Sequence, residues 1–144
     1  MTNSSLGSEL DLLANYPKTK RDVSARADEK TEEDRAIARQ FGEAFFDGER
    51  RHGYGGFHYH PRFWEPVVPT LQSAYGLDAH STVLDIGCAK GFMIYDFQRL
   101  IPGITLRGID ISEYAIEASL PEVKPLLDVG NATTLPYPDH SFDL

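Results

Sequence analysis

The chain has little cysteine, no long apolar run and a shortage of positive charge. Its single cysteine, Cys88, excludes a framework of internal disulfides. No apolar run reaches the roughly 18 residues that a transmembrane helix needs, and the N-terminus lacks the basic and apolar regions of a secretory signal. The 22 Asp and Glu residues outnumber the 14 Lys and Arg residues, giving a net charge of −8, whereas phosphate backbones bind clustered basic side chains. We therefore expect a cytoplasmic protein whose partners include neither a membrane nor a nucleic acid.

The sequence divides into three predicted parts, and the first two lie before the predicted sheet. Residues 1–30 are polar and show no sustained period, which predicts a mobile lead-in. Residues 31–80 predict a helical cap that encloses a segment rich in glycine and aromatic residues. Its two predicted helices run from Thr31 to Gly48 and from about Pro61 to Gly76.

The third predicted part, residues 81–144, alternates short strands with helices. The strands are apolar and β-branched, and the helices begin after glycine or serine and show helical spacing. Strands are predicted at 82–86, 104–109 and 125–129, with a fourth beginning at Phe142, and helices at 92–100 and 112–118. This alternation is typical of an α/β fold with a parallel sheet.

The turn after the first predicted strand contains Gly87 and Gly91. In an open α/β sheet, ligands bind beyond the carboxyl ends of the strands, and a glycine turn there lets them approach the backbone. The dinucleotide fingerprint G-x-G-x-x-G is not met, because Ala89 and Phe92 stand at its second and third glycine positions. Asp85 precedes the turn and would repel a pyrophosphate but attract a cation. A ligand with an ammonium group fits this turn, although a tight turn with a buried, hydrogen-bonded aspartate is an alternative.

A second acid, Asp110, ends the second predicted strand. It follows Gly91 by about 20 residues, the spacing at which an acid binds ribose hydroxyls in nucleoside-binding α/β folds. The alternative is that Asp110 caps the next helix, a role that Ser112 already serves. A ligand with an adenosine and an amino-acid end fits both acids, and S-adenosylmethionine is such a ligand.

Three ordered motifs resemble class I S-adenosylmethionine-dependent methyltransferases of the methyltransferase type 11 kind. They are LDIGCAKG at 84–91, GIDIS at 108–112 and GNATTLPYPDHSFDL at 130–144. The resemblance implies an enzyme with a Rossmann-like parallel sheet that transfers the cofactor's methyl group to a small-molecule acceptor. Residues 31–76 resemble the N-terminal cap of a bacterial subgroup that carries a Tyr-Gly-Gly-aromatic motif.

The resemblance also implies which residues hold the cofactor. The loop after the first strand would hold the methionine end, the end of the second strand the ribose and adenine, and the end of the third strand the adenine edge. These residues are, in that order, Asp85, Gly87, Cys88, Ala89 and Gly91; Asp110 and Ile111; Asn131 and Ala132. Ala89 replaces a usual glycine and Asn131 a frequent aspartate. Because a methyl group is small and an amide oxygen can still accept a hydrogen bond, we expect binding to survive.

The glycine-rich segment 51–61 supplies the candidate catalytic residues, Tyr54 and His58. We expect this segment to fold over the cofactor as a lid, with one of the two lining the methyl-transfer site. The alternative is that its aromatic rings pack the cap onto the sheet. His58 and His60 have no third ligand spaced nearby, so no metal site is expected.

Two other functions compete with methyl transfer. One is a non-catalytic module that binds an adenosine cofactor, and the other is a nicotinamide-dependent oxidoreductase, which Ala89 and Phe92 disfavour. The resembling sheets have seven strands, whereas this sequence is truncated after the start of strand four. We therefore expect an N-terminal fragment of a longer enzyme, inactive by itself.

Overall fold

Three parallel strands form the centre of the structure, a computed structural model that describes residues 7–144. The strands are β1 (Thr82–Ile86), β2 (Thr105–Asp110) and β3 (Leu127–Val129), in the order β1-β2-β3. In the register, Thr82 lies opposite Thr105 and Gly108 lies opposite Leu127. The predicted α/β class and parallel sheet are confirmed.

The last residues of the sequence lie beside the other edge of β1. The Leu84 N–H donates to the Leu144 carbonyl at 2.9 Å, and the Leu144 N–H donates to the Thr82 carbonyl at 3.3 Å. Bonds from one residue to both neighbours of Val83 are the pattern of a parallel pair. Among the described residues the sheet nevertheless has three strands, and residues 142–144 do not form a fourth. A strand beginning at Phe142 therefore stays a prediction, although Leu144 is hydrogen-bonded where such a strand would pair with β1.

Six α-helices and one 3₁₀ turn surround these strands in residues 7–144. They are α1 (Val23–Asp28), α2 (Glu32–Ala38), α3 (Glu43–Phe46), α4 (Val68–Tyr75), α5 (Phe92–Leu100), α6 (Glu113–Glu117) and the 3₁₀ turn Lys124–Leu126. The predicted third strand begins later than expected, at Leu127, because Pro125 lies in the 3₁₀ turn and has no N–H to donate. None of these helices is long and apolar enough to cross a membrane.

The main core lies between the sheet and α5. Ile94 and Phe97 of α5 are fully buried, and they belong to one apolar cluster with Val83 of β1 and Leu106 of β2. This packing follows from the spacing of the apolar residues in α5, which places them on one face of the helix.

The first predicted cap helix is in fact two helices. Thr31 caps α2 as expected, in a reciprocal pair with Asp34. The prediction of one helix to Gly48 was wrong, because the chain leaves the helix at Phe41, whose φ is 49°. The Phe41 carbonyl accepts a hydrogen bond from the Ser112 hydroxyl, so a contact with the sheet domain replaces a bond within the helix.

The second predicted cap helix is shorter than expected. It begins at Val68 rather than near Pro61, because Pro66 interrupts the backbone donors, and Pro69 then lies in the first turn of α4. Gly76 ends it as predicted, with a left-handed φ of 62°.

Part of the predicted lead-in is described. Residues 1–6 lie outside the described residues, whereas residues 7–30 include α1, a helix with no buried residue that the sequence did not predict. The Tyr16 ring lies 5.7 Å from the Phe63 ring and 5.1 Å from the Trp64 ring, so the lead-in contacts the cap.

Candidate functional site

A cleft of about 460 Å³ opens at the carboxyl ends of β1 and β2. The sheet domain forms its floor with Ile86, Gly87, Ala89, Ile109, Asp110, Ile111, Gly130, Asn131 and Ala132. The cap forms a wall with Phe41, Phe45, Phe46 and Tyr54. The cleft therefore lies where ligands bind in open α/β sheets, with a largely apolar lining and few polar groups.

The structure brings most of the predicted cofactor residues to this lining. Those in the lining are Gly87, Ala89, Asp110, Ile111, Asn131 and Ala132, together with the candidate catalytic residue Tyr54. Those outside it are Asp85, Cys88, Gly91 and His58. That these residues hold a cofactor stays a prediction.

The turn after β1 is built from left-handed backbone. Gly87, Ala89 and Gly91 have φ values of 84°, 49° and 79°. The N–H groups of Gly87 and Cys88 both donate to the Ile109 carbonyl, at 2.8 and 3.1 Å. Alanine at such a φ is strained by about 1–2 kcal/mol, because its Cβ crowds the following carbonyl. The turn is thus tied to β2, and one of its residues is held in an unfavourable conformation.

Asp110 fastens this turn from the end of β2. One of its carboxylate oxygens accepts from the Ala89 N–H and the other from the Ser112 N–H, both at 2.8 Å. The Ser112 hydroxyl caps α6 by accepting from the Ala115 N–H at 3.0 Å, so the cap of this helix is Ser112. Each Asp110 oxygen keeps a further lone pair, which ligand hydroxyls can use.

Asp85 lies in β1 beneath the turn and is partly buried. Burial, and secondarily the charge of Asp110, raises the pKa of its carboxyl to about 6. A cation that binds next to Asp85 would favour its ionised form. Asp85 is therefore poised to respond to a ligand ammonium, although it does not line the cleft.

Cys88 and Gly91 pack the turn against β2 and β3. A Cβ on Gly91 would lie 2.8 Å from the Val123 Cγ2 atom, which leaves no room for a side chain. Cys88 is buried against Gly108, where an added Cβ would lie 2.9 Å from its sulfur. Burial raises the pKa of the Cys88 thiol, so it stays protonated and unreactive at neutral pH.

Tyr54, in the glycine-rich segment, lines the cleft. Its N–H donates to the Phe45 carbonyl at 2.8 Å, and its ring lies 4.4 Å from the Phe57 ring. Burial raises the pKa of the Tyr54 phenol, with smaller contributions from Tyr16 and Asp110. The phenol is therefore protonated at neutral pH and can donate a hydrogen bond. His58, in contrast, is exposed outside the lining.

Three polar residues that the sequence did not single out join the turn to the cap. The Lys90 ammonium donates to Asp47 Oδ2 at 2.6 Å, and the Tyr114 hydroxyl donates to the same oxygen at 2.6 Å. Burial alone would raise the pKa of Asp47, but these hydrogen bonds and one from the Phe57 N–H outweigh it and lower the pKa to about 2. A lysine in a turn of small residues was the available signal, but its partner lies 43 residues away in the sequence.

A second polar group joins the cap to α5. The Tyr59 hydroxyl donates to Asp96 Oδ1 at 2.6 Å, and Arg99 donates to the same oxygen at 2.9 Å. Asp96 is fully buried, and Arg99 also pairs with Glu65 at 2.7 Å. This group lies outside the cleft lining. In residues 7–144, no cluster of three or more His, Cys, Asp or Glu side chains is placed to hold a metal ion.

Comparison with known proteins finds one family model that matches part of the chain. Residues 84–144 match the family model described as a methyltransferase domain. A search of curated proteins finds no match.

Three solved structures are similar to parts of the chain. The MccD protein is 27% identical over 52% of this chain, with a TM-score of 0.47. The YcgJ protein from Bacillus subtilis is 26% identical over 52%, with a TM-score of 0.44. YjhP from E. coli is 23% identical over 67%, with a TM-score of 0.45. The matches cover 36%, 34% and 38% of those three chains, so this chain spans little more than a third of each.

Proposed function

We infer that the protein uses S-adenosylmethionine to methylate a small-molecule acceptor, a proposal supported by the match of residues 84–144 to the methyltransferase-domain family model. The observation that carries this proposal is Asp110, which lies on the cleft floor between the glycine turn and Ile111. A carboxylate at this position can accept hydrogen bonds from ribose hydroxyls. Because the cofactor is made in the cytoplasm, we place the protein there as well.

The residues on the floor fit the parts of this cofactor. Ile86 and Ile111 are large apolar side chains that remain about half exposed at the ends of their strands, and a flat adenine would cover such surface. Asn131 can accept from and donate to the edge of a base. Asp85, beneath the turn, complements an ammonium group.

The chain would contribute to the reaction by orienting the cofactor and by excluding water from the cleft. When bound, S-adenosylmethionine supplies the electrophilic methyl group. With the cofactor bound, the aromatic wall of Phe41, Phe45, Phe46 and Tyr54 would shield it from water, and the floor would fix its orientation. The Tyr54 phenol, protonated at neutral pH, offers a hydrogen bond to an acceptor on the cap side. An aromatic wall in an acidic chain favours a small organic acceptor over a nucleic acid.

Calorimetric titration with S-adenosylmethionine, S-adenosylhomocysteine and NAD tests the cofactor. We expect the first two to bind and Asp110→Asn to raise their Kd about 10- to 100-fold, since a hydrogen bond to a charged group contributes about 1.5–3 kcal/mol. Asp128→Asn is the matched control, because Asp128 pairs with Arg107 on the neighbouring strand and lies outside the cleft lining.

Three results would speak against the proposal. Binding of NAD alone would favour an oxidoreductase, and equal effects of the two Asp→Asn changes would remove Asp110 from the site. Binding of neither S-adenosyl ligand would speak against both a methyltransferase and a non-catalytic module for an adenosine cofactor.

A further inference from the structure

Lys90 joins the glycine turn to the cap through two hydrogen bonds. Its ammonium donates to Asp47 Oδ2 at 2.6 Å and to the Phe57 carbonyl at 2.8 Å. The Phe57 N–H in turn donates to Asp47 Oδ1 at 2.9 Å. The Lys90 side chain is only 7% exposed, so its charge depends on these protein partners rather than on water.

This ion pair connects the two sides of the cleft through adjacent residues. On the floor side, Lys90 directly follows Ala89, which lines the cleft. On the wall side, Asp47 directly follows Phe46, and Phe45 and Phe46 both line the cleft. Neither Lys90 nor Asp47 is in the lining itself. The pair therefore fixes the separation of wall and floor without touching the space between them.

We propose that Lys90 is a positioning residue, which holds the aromatic wall in register with the glycine turn and thereby sets cofactor affinity. The inference rests on the proposed function, because it assigns the affinity to an S-adenosyl cofactor. Without the lysine, the Asp47 carboxylate keeps only neutral donors, Tyr114 and the Phe57 N–H, and movement of the cap away from the turn would return its charge to water. The wall and the floor then no longer fit one ligand, since small displacements in a binding site have large effects.

The decisive comparison is between Lys90→Met and Tyr59→Phe. Tyr59→Phe removes a 2.6 Å hydrogen bond to the buried Asp96 in the same cap-to-sheet interface, but away from the cleft lining. We expect both variants to lower the melting temperature. Only Lys90→Met should raise the Kd for S-adenosylhomocysteine by tenfold or more, while the Kd of Tyr59→Phe stays within twofold of the unchanged protein.

A double-mutant cycle separates positioning from general destabilisation. Asp47→Asn should weaken binding as Lys90→Met does. Because both changes break the same ion pair, the Kd of the double variant should lie within about threefold of the Kd of the weaker-binding single variant. Tyr114→Phe removes only the phenol from Asp47 and leaves the ion pair in place. It should raise the Kd two- to fivefold, less than either change to the ion pair, and Asp47→Asn preserves the test if Lys90→Met does not fold.

Amide exchange gives a reading that needs no ligand. The Ala89 N–H is held by Asp110 on the floor and the Tyr54 N–H by Phe45 on the wall. Protection at both amides should fall in Lys90→Met and in Asp47→Asn, and it should hold in Tyr59→Phe. If the unchanged protein binds no S-adenosyl ligand, the proposed function fails, and this measurement alone decides whether Lys90 fixes wall to floor.

The positioning role would be overturned by any of three results. The first is an equal rise of the Kd in Tyr59→Phe at an equal loss of melting temperature. The second is multiplicative effects in the Lys90–Asp47 cycle. The third is unchanged protection of the Ala89 and Tyr54 amides in Lys90→Met or Asp47→Asn.

Discussion

Replacing Ala89 with glycine should stabilise the protein, although the same substitution destabilises at ordinary backbone positions. Ala89 has a φ of 49°, in the left-handed region, and it stands between Gly87 and Gly91, which are left-handed too. The Asp110 carboxylate holds it there through the Ala89 N–H at 2.8 Å. Glycine has no Cβ and adopts this conformation without strain.

The expected gain is the difference of three contributions. Relief of left-handed strain contributes about 1–2 kcal/mol. Glycine gives the unfolded chain more freedom, which costs about 0.4–1 kcal/mol, and losing a half-buried methyl group costs about 0.4 kcal/mol. The net free energy of unfolding should therefore rise by about 0.5 kcal/mol.

Ala118 provides the matched control. It is exposed at the end of α6 with a φ of −86°, so Ala118→Gly relieves no strain and should lower the free energy of unfolding by about 0.4–1 kcal/mol. Urea unfolding of both variants, compared at equal m-values, measures the difference of about 1 kcal/mol or more. Equal losses of stability in the two variants would refute the assignment of strain to Ala89.

Three further changes test the packing and charge of the site. Gly108→Ala should lower the free energy of unfolding by about 1–3 kcal/mol in urea, because its Cβ would meet Leu127 Cδ2 at 2.6 Å; a loss under about 0.5 kcal/mol would mean that the neighbours yield easily. Since the pKa of Asp85 rises from 3.8 to about 6 on folding, its stabilising contribution is full below about pH 4 and is lost as pH rises through 6. In urea unfolding between about pH 4 and 6.5, Asp85→Asn should lack this decline in the free energy of unfolding, and parallel pH profiles of the two proteins would contradict the prediction. Cys88, buried and protonated, should react with a thiol reagent only on unfolding, and rapid reaction of the folded protein would show that the turn opens.

Local signals in the sequence predicted the sheet part of the fold well. The β-branched run before Gly87 gave β1 at its observed bounds, and the spacing after Gly91 gave α5 from Phe92 to Leu100. Such signals depend on neighbours along the chain, so a single sequence is enough to read them.

The cap could not be predicted in the same way, because distant contacts shape it. Phe41 leaves its helix where its carbonyl meets Ser112, 71 residues further on. Helix propensity and capping at Thr31 contain no information about that partner. Tertiary contacts overrode a locally favourable pattern, which is a common reason for errors in helix length.

The candidate site was likewise predictable where its residues are close in sequence and not where distant contacts position them. The floor residues followed from motifs close together in sequence, and Tyr54 followed from its glycine-rich surroundings. In the predicted helix from Thr31 to Gly48, Phe41 and Phe45 would lie on one face, because they are about one helical turn apart. Only the break between α2 and α3 turns these rings toward the cleft.

The position of residues 142–144 beside β1 also has a kinetic consequence. Thr82 pairs with Thr105 in β2, whereas its N–H also donates to the Asp143 side chain, 61 residues away. Closing the longer loop costs about 1 kcal/mol more chain entropy, and parallel pairings over long separations form slowly. The three strands should therefore assemble first, and residues 142–144 should pair with β1 late. In a refolding experiment, the Leu84 amide, which donates to Leu144, should gain protection from exchange after the amides between β1 and β2.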